Sequence, residues 1–194
     1  NGDKAISHLL ELVDESNKAY PRKDHGTTLH HMGYFTDSLA ERIKNLGAEA
    51  SINPYYLWAL SDKYTESGLG AQRAQNLVTA NSLARRDINF SLHSDFAMAP
   101  LSPLTLASTA INRISHGSTK VSQHQRLNSY DALKAITISA AKTLELQDEL
   151  GSLEVGKMAN FVILNKNPLT IIQSRISSIK VEGTVYGGVY YSNN

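Results

Sequence analysis

Cysteine is absent from the 194-residue chain, which excludes disulfides, thiolate metal sites and cysteine nucleophiles within it. An excess of charge is missing too. Nineteen Lys and Arg stand against 18 Asp and Glu, a net charge of +1, which gives no electrostatic reason to expect the concentrated basic face that grips phosphates. Neither a nucleic acid nor a membrane is therefore expected as a partner. No apolar run approaches the roughly 20 residues of a membrane-spanning helix. The opening stretch NGDKAISHLLELV has neither the basic front nor the cleavage site of a signal peptide. The chain starts at Asn1 rather than Met, as expected of a processed or excised chain, and leaves cytoplasmic and periplasmic locations both open. Repeats and low-complexity segments are lacking as well. What is present, 41% hydrophobic and 19% charged residues, is an ordinary globular composition able to bury a core.

Periodicity supplies the organisation. Ile6, Leu9, Leu10 and Val13 recur at helical spacing behind Asp3, a candidate cap. GTTLHHM reads as a strand, and TDSLAERIKNLG as a helix capped at Thr36 or Asp37 and closed by Gly47. AEASINP is a second strand stopped by Pro54. The stretch around YYLWAL is ambiguous, AQRAQNLVTANSLARRD reads as one helix, and INFSL is a third strand. Helix and strand alternate, which favours parallel βαβ units with ligand chemistry at the C-terminal strand ends.

Polar residues fall at those ends: His30 and His31 on the first strand, Asn53 on the second, His93 and Asp95 on the third. Farther on, PLTLASTAINRIS reads as a helix, GSTKVSQHQRLN as a loop, and SYDALKAITISAAKTLEL as one helix opened by Ser129 or Asp131. ANFVILN, SIKVEGTVYGG and VYY then alternate in strand fashion between Gly, Pro and Asn turns, predicting a small antiparallel appendage.

Imidazole and carboxylate form a natural donor set for zinc or a similar divalent ion, which keeps one position open for water. Such an ion lowers the water's pKa to about 7, and a neighbouring carboxylate can take the proton as hydroxide attacks a carbonyl. His31 and Asp95 sit on two different strand ends and could converge. On spacing alone the plainer account carries more weight, with His31 a satisfied core histidine and Asp95 a cap on the following turn. His8 reads as a surface residue, and His116 and His124 as members of a polar loop. Tyr55, Tyr56 and Trp58 could wall a pocket, although such clusters more often pack a core. LEVGKMANFVIL lacks the full glycine pattern of a phosphate loop and runs into a strand.

Taken in order, these segments resemble the amidohydrolase superfamily, specifically its amidohydrolase-3 or YtcJ-like branch. NGDKAI resembles the segment after the histidine of the fifth barrel strand. TLHHM resembles the sixth-strand histidine segment, LGAEASINP the seventh strand, and LGAQRAQNLVTANSLARRDINFSLHSD the helix and eighth strand ending in Ser-Asp. SYDALKAITISAAKTLELQDELGSLEVGKMANFVILNKNPL is similar to the closing helix and the Gly-Ser-Leu-x-x-Gly-Lys turn and strand of the family's β-sandwich.

The resemblance implies an α/β fold made of the C-terminal portion of a (β/α)8 TIM barrel, about its last three strands, over residues 1–150, with β-sandwich strands over 151–194. By the same resemblance, His31 would be the sixth-strand metal ligand. Asp95 would be the eighth-strand carboxylate that binds metal and moves the proton. His93, two residues earlier, should face the same side of its strand, and with His30 and Asn53 would support the ligands or touch substrate.

The implied activity is hydrolysis of a C–N, amide-type bond in a small molecule by metal-activated water, with a divalent ion, zinc foremost, as cofactor. The family's first-strand His-x-His, fourth-strand Lys or Glu and fifth-strand histidine are absent from this stretch. The expectation is therefore a C-terminal fragment of a larger hydrolase, holding an incomplete site and prone to self-association through open strand edges unless the rest of the parent chain completes it. HSDFAMAPLSPL also resembles the branch named exoenzyme regulatory proteins, so an inactive, regulatory relative is the rival.

Overall fold

The computed structural model describes residues 1–22 and 24–193. Helix α1 (Asp3–Ala19) buries Ile6 and Leu10 while Leu9 and Leu12 stay half exposed. Gly2 occupies the cap position without a side-chain bond. Asp3 instead lies in the first turn, where its charge complements the positive end of the helix dipole. Strand β1 (Thr28–His31) leads to α2 (Asp37–Leu46), where Thr36 Oγ1 accepts from Leu39 N and Gly47, at φ 69°, closes the helix. β2 (Glu49–Ile52) follows, and the ambiguous aromatic stretch is helical, α3 (Tyr55–Glu66).

The expected single helix over 71–87 is two short ones, α4 (Gly70–Ala74) and α5 (Ala80–Ala84). Tertiary demands on the backbone between them explain the break. Leu77 bridges to Tyr34, and Val78 takes a positive φ of 44° as its N–H donates to Gly33 O. The fully buried Arg113 draws in the carbonyls of Leu77 and Val78 at 2.8 and 2.6 Å, and that of Val121 at 2.9 Å. Burial pushes its guanidinium down to about 9, still charged at neutral pH. Three carbonyl acceptors stand in for the lost water.

β3 (Phe90–Leu92) and α6 (Pro103–Asn112) come next. The loop after α6 holds an Ile114–Lys120 bridge and a short 3-10 turn at Gln123–Gln125. The second long helix expected from sequence is also divided, into α7 (Ser129–Ala135) and α8 (Ile138–Thr143). Its cap is Asn128, whose Oδ1 accepts from Asp131 N at 2.8 Å, rather than Ser129 or Asp131. At the break Thr137 leaves the helical region, and Gly151 packs there so tightly that a Cβ on it would lie 2.8 Å from Ile138 Cα.

The first sheet, β1-β2-β3, is parallel. In its register His31 is level with Ile52, and Ile52 with Leu92. Two further bonds extend the ladder past the strands, Asn53 N to His31 O at 3.2 Å and His93 N to Ile52 O at 3.0 Å. Residue 31 and, one step further along their strands, residues 53 and 93 thus gather at the same end of the sheet, above a core that contains Phe35, Ile43, Ile52, Leu83 and Ile111.

The second sheet is antiparallel, β4 (Phe161–Leu164), β5 (Val181–Tyr186) and β6 (Val189–Ser192), with β5 and β6 joined through Gly187 and Gly188, both at positive φ. Between β4 and β5 the 3-10 stretch Gln173–Ser178 returns to the main body, where Ile176 is buried in the core and Gln173 O accepts from Asn112 Nδ2 at 3.0 Å. The architecture is mixed α/β. No described helix is long and apolar enough to cross a membrane.

Candidate active site at the tips of the parallel strands

The end of β1 carries unusual backbone: His31 and Met32 take φ values of 70° and 46°. Asp95 has φ 48°. Left-handed conformations are costly for residues with a Cβ and persist where the surroundings over-determine them, often at functional sites. Both candidate ligands therefore sit on strained backbone.

Strand β3 ends at Leu92, so alternation along the strand does not carry through to Asp95, contrary to the sequence expectation. The turn at 95–98 brings it round instead, with Ser94 O accepting from Ala99 N at 3.1 Å. His31 Nδ1 and Asp95 Oδ2 then approach to 3.6 Å, with the two side chains 38% and 43% exposed and so open to a ligand.

His93 is half-buried, its ring edge-on to His31 with centroids 5.0 Å apart. Burial, and after it the neighbouring His31, holds its pKa below the ordinary histidine value. Its Nε2 is buried without a hydrogen-bond partner. His30 is exposed, with its ring 6.4 Å from His31 and 6.2 Å from His93. Asn53 is fully buried. It donates to Ser94 O at 3.2 Å and accepts from Tyr55 N at 2.9 Å, which ties the Asp95 turn to the start of α3.

Tyr56, which the sequence offered only as a possible pocket wall or core aromatic, touches both His31 and Asp95. From the first turn of α3 its hydroxyl reaches His31 Nδ1 at 3.2 Å and donates to Asp95 Oδ2 at 3.3 Å. Burial, and after it the Asp95 charge, raises its pKa above the usual phenol value, so it stays protonated. The available signal was position rather than composition: a residue just after Pro54 at a strand tip projects over the same rim as the strand ends. Tyr55 and Trp58 pack on each other at 4.7 Å and Trp58 on His116 at 4.8 Å, away from these contacts. His8 and His124 are exposed and take no part.

A divalent ion suits the donors. His31 and Asp95 offer nitrogen and oxygen, and His93 Nε2 is an unsatisfied buried nitrogen beside them. Among the described residues no group of three or more His, Cys, Asp or Glu is arranged to hold an ion unaided, so these side chains could supply only part of a coordination sphere.

The model of the amidohydrolase family matches residues 1–190. The Arabidopsis thaliana protein LONG AFTER FAR-RED 3 is 32% identical over 96% of this chain and 32% of its own length. The N-substituted formamide deformylase of Arthrobacter pascens is 23% identical over 93% of this chain and 34% of its own. An uncharacterized metal-dependent hydrolase from Pyrococcus horikoshii superposes with a TM-score of 0.73 at 26% identity, over 89% of this chain and 34% of that one. The chain thus spans about a third of the length of each.

Proposed function

The chain belongs to the amidohydrolase family, and on that premise we propose that it supplies the closing part of a hydrolase that cleaves a C–N bond of a small amide with metal-activated water. The observation that carries this reading is the convergence of His31 and Asp95 at 3.6 Å on the C-terminal tips of two parallel strands, where α/β barrels place their chemistry. In this reading the parallel sheet is three of a TIM barrel's eight strands, and the remaining ligands come from outside the matched third.

His31 and Asp95 would hold the ion, zinc by the donor set. When bound, it would bring a coordinated water to a pKa of about 7. Asp95 would accept the water's proton and return it to the leaving nitrogen as the C–N bond breaks. No net proton is gained or lost. The deformylase relative makes N-substituted formamides the first substrates to try.

A second reading, a hydrolase-like protein that is catalytically inactive and regulatory, draws on the similarity to LONG AFTER FAR-RED 3. Turnover of small amides by the full-length wild type separates the two, and Asp95→Asn then tests the residue. The hydrolase reading expects turnover of small amides to fall by about 10²–10⁴-fold, the usual worth of a positioned acid–base group, with the melting curve unchanged. Turnover close to wild type would remove Asp95 from the chemistry.

A further inference from the structure

Resting on the hydrolase reading above, we infer that Tyr56 is a positioning residue, whose hydroxyl holds His31 in the Nδ1–H tautomer and leaves His31 Nε2 as the nitrogen offered to an ion. A phenol has one proton, and here it is donated to Asp95 Oδ2 at 3.3 Å. An ionised carboxylate can only accept. The 3.2 Å contact between the Tyr56 oxygen and His31 Nδ1 is then a hydrogen bond only if Nδ1 carries the proton and the phenol oxygen accepts. With the proton on Nδ1, the imidazole lone pair is on Nε2, which makes no hydrogen bond among the described residues. A histidine that ligates through one nitrogen commonly has its tautomer and ring orientation fixed by what the other nitrogen meets.

Three further features show that the hydroxyl is placed rather than merely nearby. The Tyr56 ring lies close to parallel to that of His31, with an interplanar angle of 27° and centroids 6.3 Å apart. Gly33 makes room for it, because a Cβ at that position would lie 3.3 Å from Tyr56 Cδ2. The buried Asn53 bonds both the first turn of α3 and the turn that carries Asp95, so Tyr56 and Asp95 are set relative to each other by one side chain.

The test uses the full-length protein, wild type, His31→Ala and Tyr56→Phe, titrated with zinc alone against a competing chelator. Nitrogen NMR of ¹⁵N-histidine-labelled, zinc-free wild type and Tyr56→Phe reads the tautomer. Tyr56→Phe keeps the ring and removes only the hydroxyl. It should bind zinc about 10- to 100-fold more weakly, and His31 should shift from a clean Nδ1–H pattern to a mixture of tautomers. Zinc that binds equally well to wild type and Tyr56→Phe but is lost in His31→Ala would overturn the role of Tyr56 and leave the hydrolase reading standing. A wild type that binds no zinc would overturn the hydrolase reading itself. Should Tyr56→Phe fail to fold, the wild-type spectrum still decides: a His31 proton on Nε2 contradicts the inference.

Discussion

Among the described residues two sheets of three strands each form, and their burial is opposite. In the parallel sheet β2 and β3 are buried on both faces: Ala50, Ser51, Ile52, Phe90, Ser91 and Leu92 are all inside. Even the two serines pair with each other, Ser91 Oγ donating to Ser51 Oγ at 3.0 Å. In the antiparallel sheet Phe161, Val162, Ile163, Tyr186, Val189, Tyr190 and Tyr191 are 38–64% exposed. Helices α7 and α8 pack against the first sheet, and no comparable layer covers the second among the described residues. All the candidate chemistry sits on the first. The ladder to the doubly covered β2 and the core beneath can hold His31, at the end of β1, and Asp95, just past β3, on strained backbone.

The sharpest way to break this comparison is to excavate one sheet. Ile52→Ala, under the tips of the parallel strands, should destabilise the fold by about 2–5 kcal/mol in urea denaturation. A loss below about 1 kcal/mol would mean that the sheet is looser than its burial implies.

A smaller effect is expected where α2 meets α5. Desolvation tends to raise the Asp37 carboxyl, but Ser82, Arg85 and Arg86 outweigh it and hold the group below its ordinary 3.8. The unfolded chain therefore takes up a proton first as the solution is acidified. The contribution of Asp37 is fully present above pH 3.8 and fades as the pH falls through the lower, folded value. Because the Asp37 side chain is 54% exposed, Asp37→Asn should cost under about 1 kcal/mol at neutral pH. The gap to wild type should be flat above that range and close below it; a gap that widens in acid would reverse the assignment.

Least affected should be the open sheet. In the 194-residue chain, Val162→Ala should change stability by no more than about 0.5 kcal/mol. A cost approaching that of Ile52→Ala would show that something covers this face.

The frame of the first sheet was legible from pattern alone. Leu29, Ala50, Ile52, Phe90 and Leu92 stand in short apolar runs between helical repeats, and the polar residues at their ends fall at the rim. The same pattern misled where backbone atoms answer to distant partners. Nothing local in QNLVTANSL announces that Arg113, some 35 residues on, will claim two carbonyls there and split the helix. The period of the last helix likewise runs unbroken through Thr137, and the break becomes intelligible only once Gly151 is seen packed against Ile138.

At the site, His31 and Asp95 could be picked out by type and position, but their approach depends on left-handed backbone that alternation cannot foresee. Tyr56 was hidden for another reason: beside Tyr55 and Trp58 it looks like core, and only the direction of α3 turns its hydroxyl to the rim.

The central claim is that the tips of the parallel strands form part of a metal site. Elemental analysis of the full-length protein, wild type beside His31→Ala, tests it most directly. The account predicts zinc or a similar divalent ion in stoichiometric amount in the wild type and a marked drop in the variant at unchanged fold. A wild type without metal, or a variant that retains all of it, would contradict the claim and leave His31 a structural residue.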